Sequence, residues 1–297
     1  MEELSSRDKV LKAGEFLKVS PPGEIDDVFN DIRGLVNDDL TLQQEIGPIL
    51  SECNTSQFHS TTLPDSDSQV ILTKYNQLND SEFIDFQTGM KFSFDHLRMK
   101  TSDAIDYNEH LGEDEFRDEL YTQGEEYLSE HFVGGKLGVF PINKELFPIY
   151  SESPDTIEAQ EGYVICIINN KYSPENFYNG RWQATWVFDS ATNTLTGHLK
   201  INIHYYEDGN VQLNVEKKVV EQIEDSSSDL QQLSVNVFTA IKKLEKQIQL
   251  SINENYQTLS ESTFKDLRRK LPLTRSKIDW LKIANYNIGE QLGNINH

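Results

Sequence analysis

The residues best suited to bind a partner lie near the end of the chain, where basic side chains are concentrated. Residues 264–297 contain seven Lys or Arg and three Asp or Glu, whereas the rest of the chain contains 20 basic and 46 acidic residues. The net charge is therefore +4 in this stretch and −26 elsewhere. Six of the seven cations are Lys265, Arg268, Arg269, Lys270, Arg275 and Lys277. This charge reversal predicts a docking surface for an acidic partner.

Residue types that often carry catalysis do not form a recognisable site. Residues 134–138 read Gly-Gly-Lys-Leu-Gly, which lacks the spacing of a phosphate-binding loop. His198 and His204 are six residues apart on one predicted strand, too distant to share a metal ion without other ligands. Neither Cys53 nor Cys166 has an activating neighbour in the sequence. We therefore expect no enzyme active site, no cofactor and no metal site.

Overall charge and hydropathy narrow the class of protein. A chain at net −22 repels phosphate groups, which argues against nucleic acid as the main partner. No apolar run is long enough to span a membrane, and residues 1–6 lack the basic start of a secretory signal. Two distant cysteines do not support a disulfide framework. We expect a folded intracellular protein.

The first half of the chain is predicted to contain short helices followed by short strands. Apolar residues at helical spacing indicate a helical clasp in residues 1–50, and residues 53–68 have the composition of a polar loop. Residues 51–160 then form a small strand-rich subdomain. Its predicted elements are strands at 70–75, 83–86, 90–94 and 134–140 and an acidic helix within 108–131.

A central antiparallel sheet is predicted for residues 161–222, because apolar residues alternate along consecutive segments joined by turns. Trp182 and Trp186 alternate onto one face with Ala184 and Phe188. A stacking platform for bases or sugars is the alternative use of these tryptophans. Burial under a helix is the favoured interpretation, since aromatic and small apolar residues commonly share a covered sheet face.

The sheet is followed by one long helix in residues 226–262, with an apolar stripe over about eight turns. A helix of roughly 45 Å exceeds the width of about five strands, so a second chain is expected to extend the sheet. Residues 263–297 combine the basic cluster with an amphipathic C-terminal extension, whose apolar face is Ile278, Leu281, Ile288 and Leu292. The predicted fold class is α+β, with an antiparallel sheet crossed by this helix.

Several blocks of the sequence are similar to one known family. The strongest are residues 176–182, which include Arg181-Trp182, residues 204–213, and residues 254–257 followed by 264–280. Supporting matches are Pro-Pro-Gly-Glu at 21–24 and Phe-Ser-Phe-Asp-His-Leu-Arg at 92–98. In this order the blocks span nearly the whole chain. The chain resembles the α subunit of the F-actin capping protein.

This resemblance implies an obligate heterodimer with a β subunit of similar fold, in which strands of both chains join into one sheet crossed by a long helix from each. It also implies binding to the barbed, fast-growing end of actin filaments. There the dimer would block gain and loss of subunits without calcium, and the protein would be cytoplasmic, at the actin cytoskeleton of the cell cortex.

By position, the family's actin-contacting cations match Lys265, Arg269 and Arg275, with Arg268, Lys270 and Lys277 as neighbours. Phosphoinositides and capping-protein regulators are further partners implied by the resemblance. The chain departs from the family at Asn287 and Glu290, where lysines are familiar, so we expect the basic cluster to dominate the attraction. The acidic segment 108–131 and the loop 53–68 are not part of the recognised pattern.

Three other functions are open from the residues alone. One is a protein-interaction scaffold that uses the basic tail to bind an acidic partner other than actin. Another is an enzyme whose site is assembled only in a dimer. The third is a nucleic-acid binder that uses the Arg-Arg-Lys run at 268–270, which the acidic body opposes.

Overall fold

The computed structural model describes residues 5–64, 66–142, 159, 161–207, 210–224 and 229–258, with side chains up to Asn255. These described residues divide into two compact units, one up to Ala240 and the other from Ile241 onward. Helices and antiparallel sheets make up the described chain, so the predicted α+β class is confirmed.

Four short helices open the chain: α1 (Ser6–Lys18), α2 (Ile25–Val36), α3 (Asp39–Glu45) and α4 (Gly47–Ser56). Ser5 caps α1 by accepting a hydrogen bond from the Asp8 amide at 3.2 Å. Pro48 lies in the first turn of α4, where its missing amide proton costs nothing. Their shared core contains Val10, Leu17, Ile32, Val36, Leu42, Ile46, Ile49, Leu50 and Cys53.

The predicted loop at 53–68 is wrong in part, because its first residues end α4 and residues 60–62 form a strand. Polar composition suggested a loop, but these polar side chains are buried and hydrogen-bonded. Thr55 donates its hydroxyl proton to the Ser51 carbonyl at 2.8 Å. The Asn54 amide lies 3.1 Å from His96 Nδ1. The polar side chains are thus satisfied inside the fold.

Five short strands follow: β1 (Ser60–Thr62), β2 (Gln69–Ile71), β3 (Glu82–Asp85), β4 (Met90–Asp95) and β5 (Lys100–Asp106). β1 pairs with β2, and β3, β4 and β5 form a separate antiparallel sheet. The sequence did not predict β5, whose residues are mostly exposed and do not alternate. The core between these strands contains Leu63, Val70, Leu72, Phe83, Phe92 and Phe94.

The predicted acidic helix at 108–131 is confirmed as two pieces, α5 (Asn108–Leu111) and α6 (Glu115–His131). Gly112 interrupts them with a φ of +70°, a left-handed conformation that favours glycine. Asp114 then caps α6 by accepting from the Arg117 amide at 3.0 Å. α6 lies on the main sheet, where Phe116 contacts the rings of Tyr163 and Phe188.

The main sheet contains β6 (Lys136–Pro141), β7 (Gly162–Ser173), β8 (Tyr178–Asp189), β9 (Thr194–Tyr205) and β10 (Val211–Gln222). All neighbours are antiparallel, in the order β10-β9-β8-β7-β6. Trp186 is fully buried and Trp182 is half-buried, which supports the packing interpretation of these tryptophans. Gly197 lies opposite Trp186, and a Cβ there would be 2.2 Å from the indole Cζ3.

The opposite face of β6 and β7 packs on the small subdomain. Phe140, Val164, Cys166 and Ile168 share a core with Phe58, Ile71, Tyr75, Ile84, Phe86 and Ala159. One side of the sheet therefore carries α6, and the other carries the short strands.

The predicted long helix is confirmed as α7 (Leu230–Thr258), 29 residues in length. Phe238 contacts the Tyr127 ring of α6, with centroids 6.0 Å apart. The predicted apolar stripe is buried at Val237, Ile241, Leu244 and Ile248. In the described part of the chain, no helix is both long and apolar enough to cross a membrane.

Candidate functional site

The candidate functional surface is the free edge of the main sheet. β10 pairs with β9 from Val211 to Gln222, and no described strand pairs with its other side. A strand of 12 residues is about 40 Å long. The unpaired amide and carbonyl groups along such an edge form a template for another strand.

Apolar side chains are exposed on both faces of β10. Val211 is 60% exposed and Val220 is 66% exposed. They fall on opposite faces because strand residues alternate, and Leu213 shares the face of Val211. Exposed apolar groups beside an unpaired edge favour burial by a partner strand.

A buried contact fixes the hairpin between β9 and β10. His204 lies near the end of β9, and its Nδ1 is 2.5 Å from Glu24 Oε1. The same carboxylate oxygen accepts a hydrogen bond from Asn179 Nδ2 at 3.1 Å. On the other side of the ring, Nε2 lies 3.1 Å from Asn210 Oδ1. Glu24 thereby joins the N-terminal helices to the strands beside the free edge.

The local sequence explains how Glu24 reaches this position. Gly23 has a φ of +77°, a conformation that other residues adopt at a cost. A Cβ on Gly23 would be 2.9 Å from Cδ1 of Tyr172 on β7. The residue before Glu24 must therefore be small for the chain to lie against the sheet.

One face of β9 and β10 is a row of hydrogen-bonded polar side chains. Asn202 Nδ2 donates to Asn214 Oδ1 at 2.8 Å, and His198 Nε2 lies 2.5 Å from Glu216 Oε1. Cross-strand contacts of this kind hold neighbouring strands in register. The polar side chains of this face are thus paired across the two strands.

The apolar stripe of α7 continues past its buried turns. Ile252 follows Ile248 by four residues and is half-buried, whereas Leu250 is exposed on the opposite side of the helix. Residues four apart lie on one side of a helix. The end of α7 thus offers apolar side chains that a partner can cover.

The cysteines have the properties of buried structural residues. Burial raises the pKa of the Cys53 thiol to about 11 and also raises that of Cys166. A thiol with a raised pKa forms little of the reactive thiolate at neutral pH. Neither cysteine is suited to act as a nucleophile.

The described part of the chain contains two recesses, of which only the larger has room for a small molecule. One is an open cleft of about 390 Å³ lined by Asn30, Arg33, Gly34, Asn37 and Asp39. Arg33 and Asp39 bond to each other there, at 2.7 and 2.6 Å. The other is a cavity of about 20 Å³ beside Asp85 and Tyr121, and neither recess contains a histidine, cysteine or serine. Among the described residues, no cluster of His, Cys, Asp or Glu could hold a metal ion.

The ten residues predicted to contact actin or to form the C-terminal apolar face lie outside the described residues. They are Lys265, Arg268, Arg269, Lys270, Arg275, Lys277, Ile278, Leu281, Ile288 and Leu292. Their role stays a prediction.

Sequence reasoning missed the contact between Glu24 and His204. The residues are 180 positions apart, and no sequence pattern connected them. The one local signal was Pro-Pro-Gly before Glu24, which marks a constrained turn.

Comparison with known proteins places the chain in a family. Residues 13–291 match the family of F-actin capping protein alpha subunits. The F-actin-capping protein subunit alpha of Chaetomium thermophilum is 34% identical over 290 residues, covering 98% of this chain and 97% of the relative. The protein of that name from Caenorhabditis elegans is also 34% identical, covering 98% and 100% of the two chains.

A solved structure agrees in fold. The homodimeric actin capping protein alpha subunit from Plasmodium berghei matches with a TM-score of 0.69 and 18% identity, covering 90% of this chain and 98% of that one. The match to the family and the identity to its members extend over nearly the entire sequence. This chain belongs to the F-actin capping protein alpha subunit family.

Proposed function

We propose that this chain is the α subunit of a heterodimer that binds the barbed, fast-growing end of actin filaments. There it blocks both addition and loss of subunits, without calcium. The observation that carries this proposal is the family membership, because the match over residues 13–291 includes the basic cluster.

The partner is a β subunit whose strand pairs with the free edge of β10. The unpaired edge and the exposed Val211 and Val220 support this assignment. The Plasmodium berghei relative is described as a homodimer, so self-association is the competing assembly.

The basic cluster makes the electrostatic contact with the filament end. Residues 264–297, which include this cluster, have a net charge of +4, whereas the rest of the chain has a net charge of −26. Attraction to an acidic surface is therefore confined to this segment. Complementary charge mainly speeds encounter and orients docking. Apolar contact then slows release, since affinity differences reside mostly in the dissociation rate. The contact residues are Lys265, Arg268, Arg269, Lys270, Arg275 and Lys277, followed by the apolar Ile278, Leu281, Ile288 and Leu292.

Elongation from actin seeds tests this proposal. The complex with the β subunit is added to seeds, and growth at the fast end is followed with a triple alanine variant of Lys265, Arg269 and Arg275. We expect capping to slow because the steering charge is lost. In the control variant, three exposed lysines elsewhere in the chain are replaced by alanine: Lys12, Lys100 and Lys246. Both triple variants therefore change the net charge by the same amount.

Equal capping rates for the two triple variants would contradict the assignment of the site. If the wild-type complex binds acidic proteins but leaves the fast end growing, the scaffold function is correct instead.

The same basic surface is the proposed site for phosphoinositides, since a local cationic patch can approach an anionic membrane. Capping-protein regulators are the other proposed partners. We place the protein in the cytoplasm, at the actin cytoskeleton. No enzymatic activity is proposed, because family membership and the buried cysteines both favour a binding role.

A further inference from the structure

Arg181 on β8 differs from the other arginines that the structure describes. The other four each pair with a carboxylate: Arg7 with Glu45, Arg33 with Asp39, Arg98 with Asp95 and Arg117 with Asp118. Arg181 contacts neutral groups instead. Its Nε donates to Asn170 Oδ1 and its Nη2 to the Tyr172 hydroxyl, both at 3.2 Å. In a chain with 49 acidic residues, such a guanidinium is available to a carboxylate from outside.

These neutral contacts orient the side chain without neutralising it. A guanidinium has five N–H groups in a planar fork, of which Asn170 and Tyr172 take two. The remaining three bond to no described residue. A carboxylate can accept from such a fork through both oxygens, which gives a strong and directional contact.

Lys200 adds a second cation on the same face. Asn202 of β9 lies directly opposite Arg181, and Lys200 is two residues along the same strand. Such diagonal neighbours are about 7 to 8 Å apart. Lys200 forms no ion pair with a described carboxylate, because Glu216, its partner across β10, contacts His198 instead. Two cations thus share this part of the sheet face.

The charge of Arg181 is felt by its surroundings. It contributes to the lowered pKa of His59, after burial and the charge of His96. Asp26 of α2 acts on His59 in the opposite direction. Asp26 forms no ion pair with Arg181.

The position of Arg181 indicates where a carboxylate comes from. β8 is two strands from the free edge of β10, a distance of about 10 Å. The first strand of a subunit paired with β10 would lie about 15 Å from β8. A carboxylate of that subunit that contacts Arg181 must therefore extend across β10 and β9 on this side of the sheet.

We propose that a carboxylate of the subunit that pairs with β10 docks on Arg181 and Lys200, with Asn170 and Tyr172 orienting Arg181. This proposal rests on the dimer of the proposed function. It adds a polar anchor on the sheet face to the contact between strand edges. The anchor fixes the orientation of the partner, since a bidentate contact has a defined geometry.

The rate of subunit exchange tests the anchor. The complex with the β subunit is labelled on β, and release is followed after adding an excess of unlabelled β. We expect Arg181→Ala to speed dissociation roughly tenfold, because a hydrogen-bonded charge pair is lost. Lys200→Met should act in the same direction. Arg98→Ala is the matched control, because Arg98 is 73% exposed and pairs within its own turn.

Salt separates an ionic anchor from a merely structural role. Raising the ionic strength should speed dissociation of the wild type more than that of Arg181→Ala, since the variant has lost the screened contact. If Arg181→Ala does not fold, Arg181→Lys and Lys200→Met give the same comparison with milder changes.

The outcomes distinguish the two proposals. If wild-type chains form no complex with β, the proposed function fails. If they form one and Arg181→Ala leaves the exchange rate and its salt dependence unchanged, only the anchor is overturned. If Arg98→Ala speeds dissociation of β as much as Arg181→Ala does, the anchor is also overturned, because the effect would then come from the change in net charge alone.

Discussion

The half-buried His59 predicts that the protein loses stability in mild acid. Its ring lies 5.8 Å from that of Phe94. Its pKa is lowered from 6.5 to about 4, first by burial and then by the charges of His96 and Arg181. Burial also lowers the pKa of His96. The folded protein therefore keeps both imidazoles neutral at a pH where an unfolded chain protonates them.

The magnitude follows from the two protonation equilibria of His59. Between pH 6.5 and about 4 the unfolded chain binds a proton that the folded chain does not. The free energy of unfolding therefore rises with pH in this window and falls as the pH is lowered. One pKa unit corresponds to about 1.4 kcal/mol, so the loss from His59 is about 3 kcal/mol across the window.

Urea unfolding at several pH values measures this effect. The variant His59→Gln should have a flatter dependence of unfolding free energy on pH than the wild type below 6.5. His110→Gln is the control, because His110 is exposed on α5. Carboxylates titrate alike in all three proteins, so the difference isolates the imidazole. Parallel curves for His59→Gln and wild type would refute the reasoning.

Three further predictions concern the sheet and the basic cluster. Glu24→Ala should lower the free energy of unfolding by about 2 to 3 kcal/mol in urea, because the buried His204 and Asn179 lose their shared acceptor. Glu24→Gln should lower it less, and equal losses would contradict the role of the acceptor. Gly197→Ala should cost about 1 to 3 kcal/mol by thermal unfolding, because the added methyl overlaps Trp186, and an unchanged midpoint would contradict that packing. Added salt should slow capping by the wild-type complex more than capping by the triple alanine variant of Lys265, Arg269 and Arg275, and equal salt dependence would argue against electrostatic steering.

The regular helices and strands were predictable because apolar residues recur in them at the spacing typical of a helix or of a strand. Alternation along β8 predicted the burial of Trp186, and the stripe of α7 predicted a helix that includes Val237 and Ile248. These patterns depend only on neighbours in sequence.

Other features escaped because they depend on contacts distant in sequence. Asn54 and Thr55 resemble loop residues until their buried hydrogen-bond partners are known. β5 is an exposed strand without alternation, so its sequence gives no period to detect. The sequence did not reveal that Arg181 lacks a carboxylate partner, because this is a property of the folded sheet.

The central claim is that this chain, together with a β subunit, closes the barbed end of actin filaments. The most direct measurement is the growth of individual filaments at both ends, observed by microscopy with the co-purified complex and without calcium. We predict that the fast end stops growing and shrinking while the slow end continues. Continued growth at the fast end with saturating complex would contradict the claim.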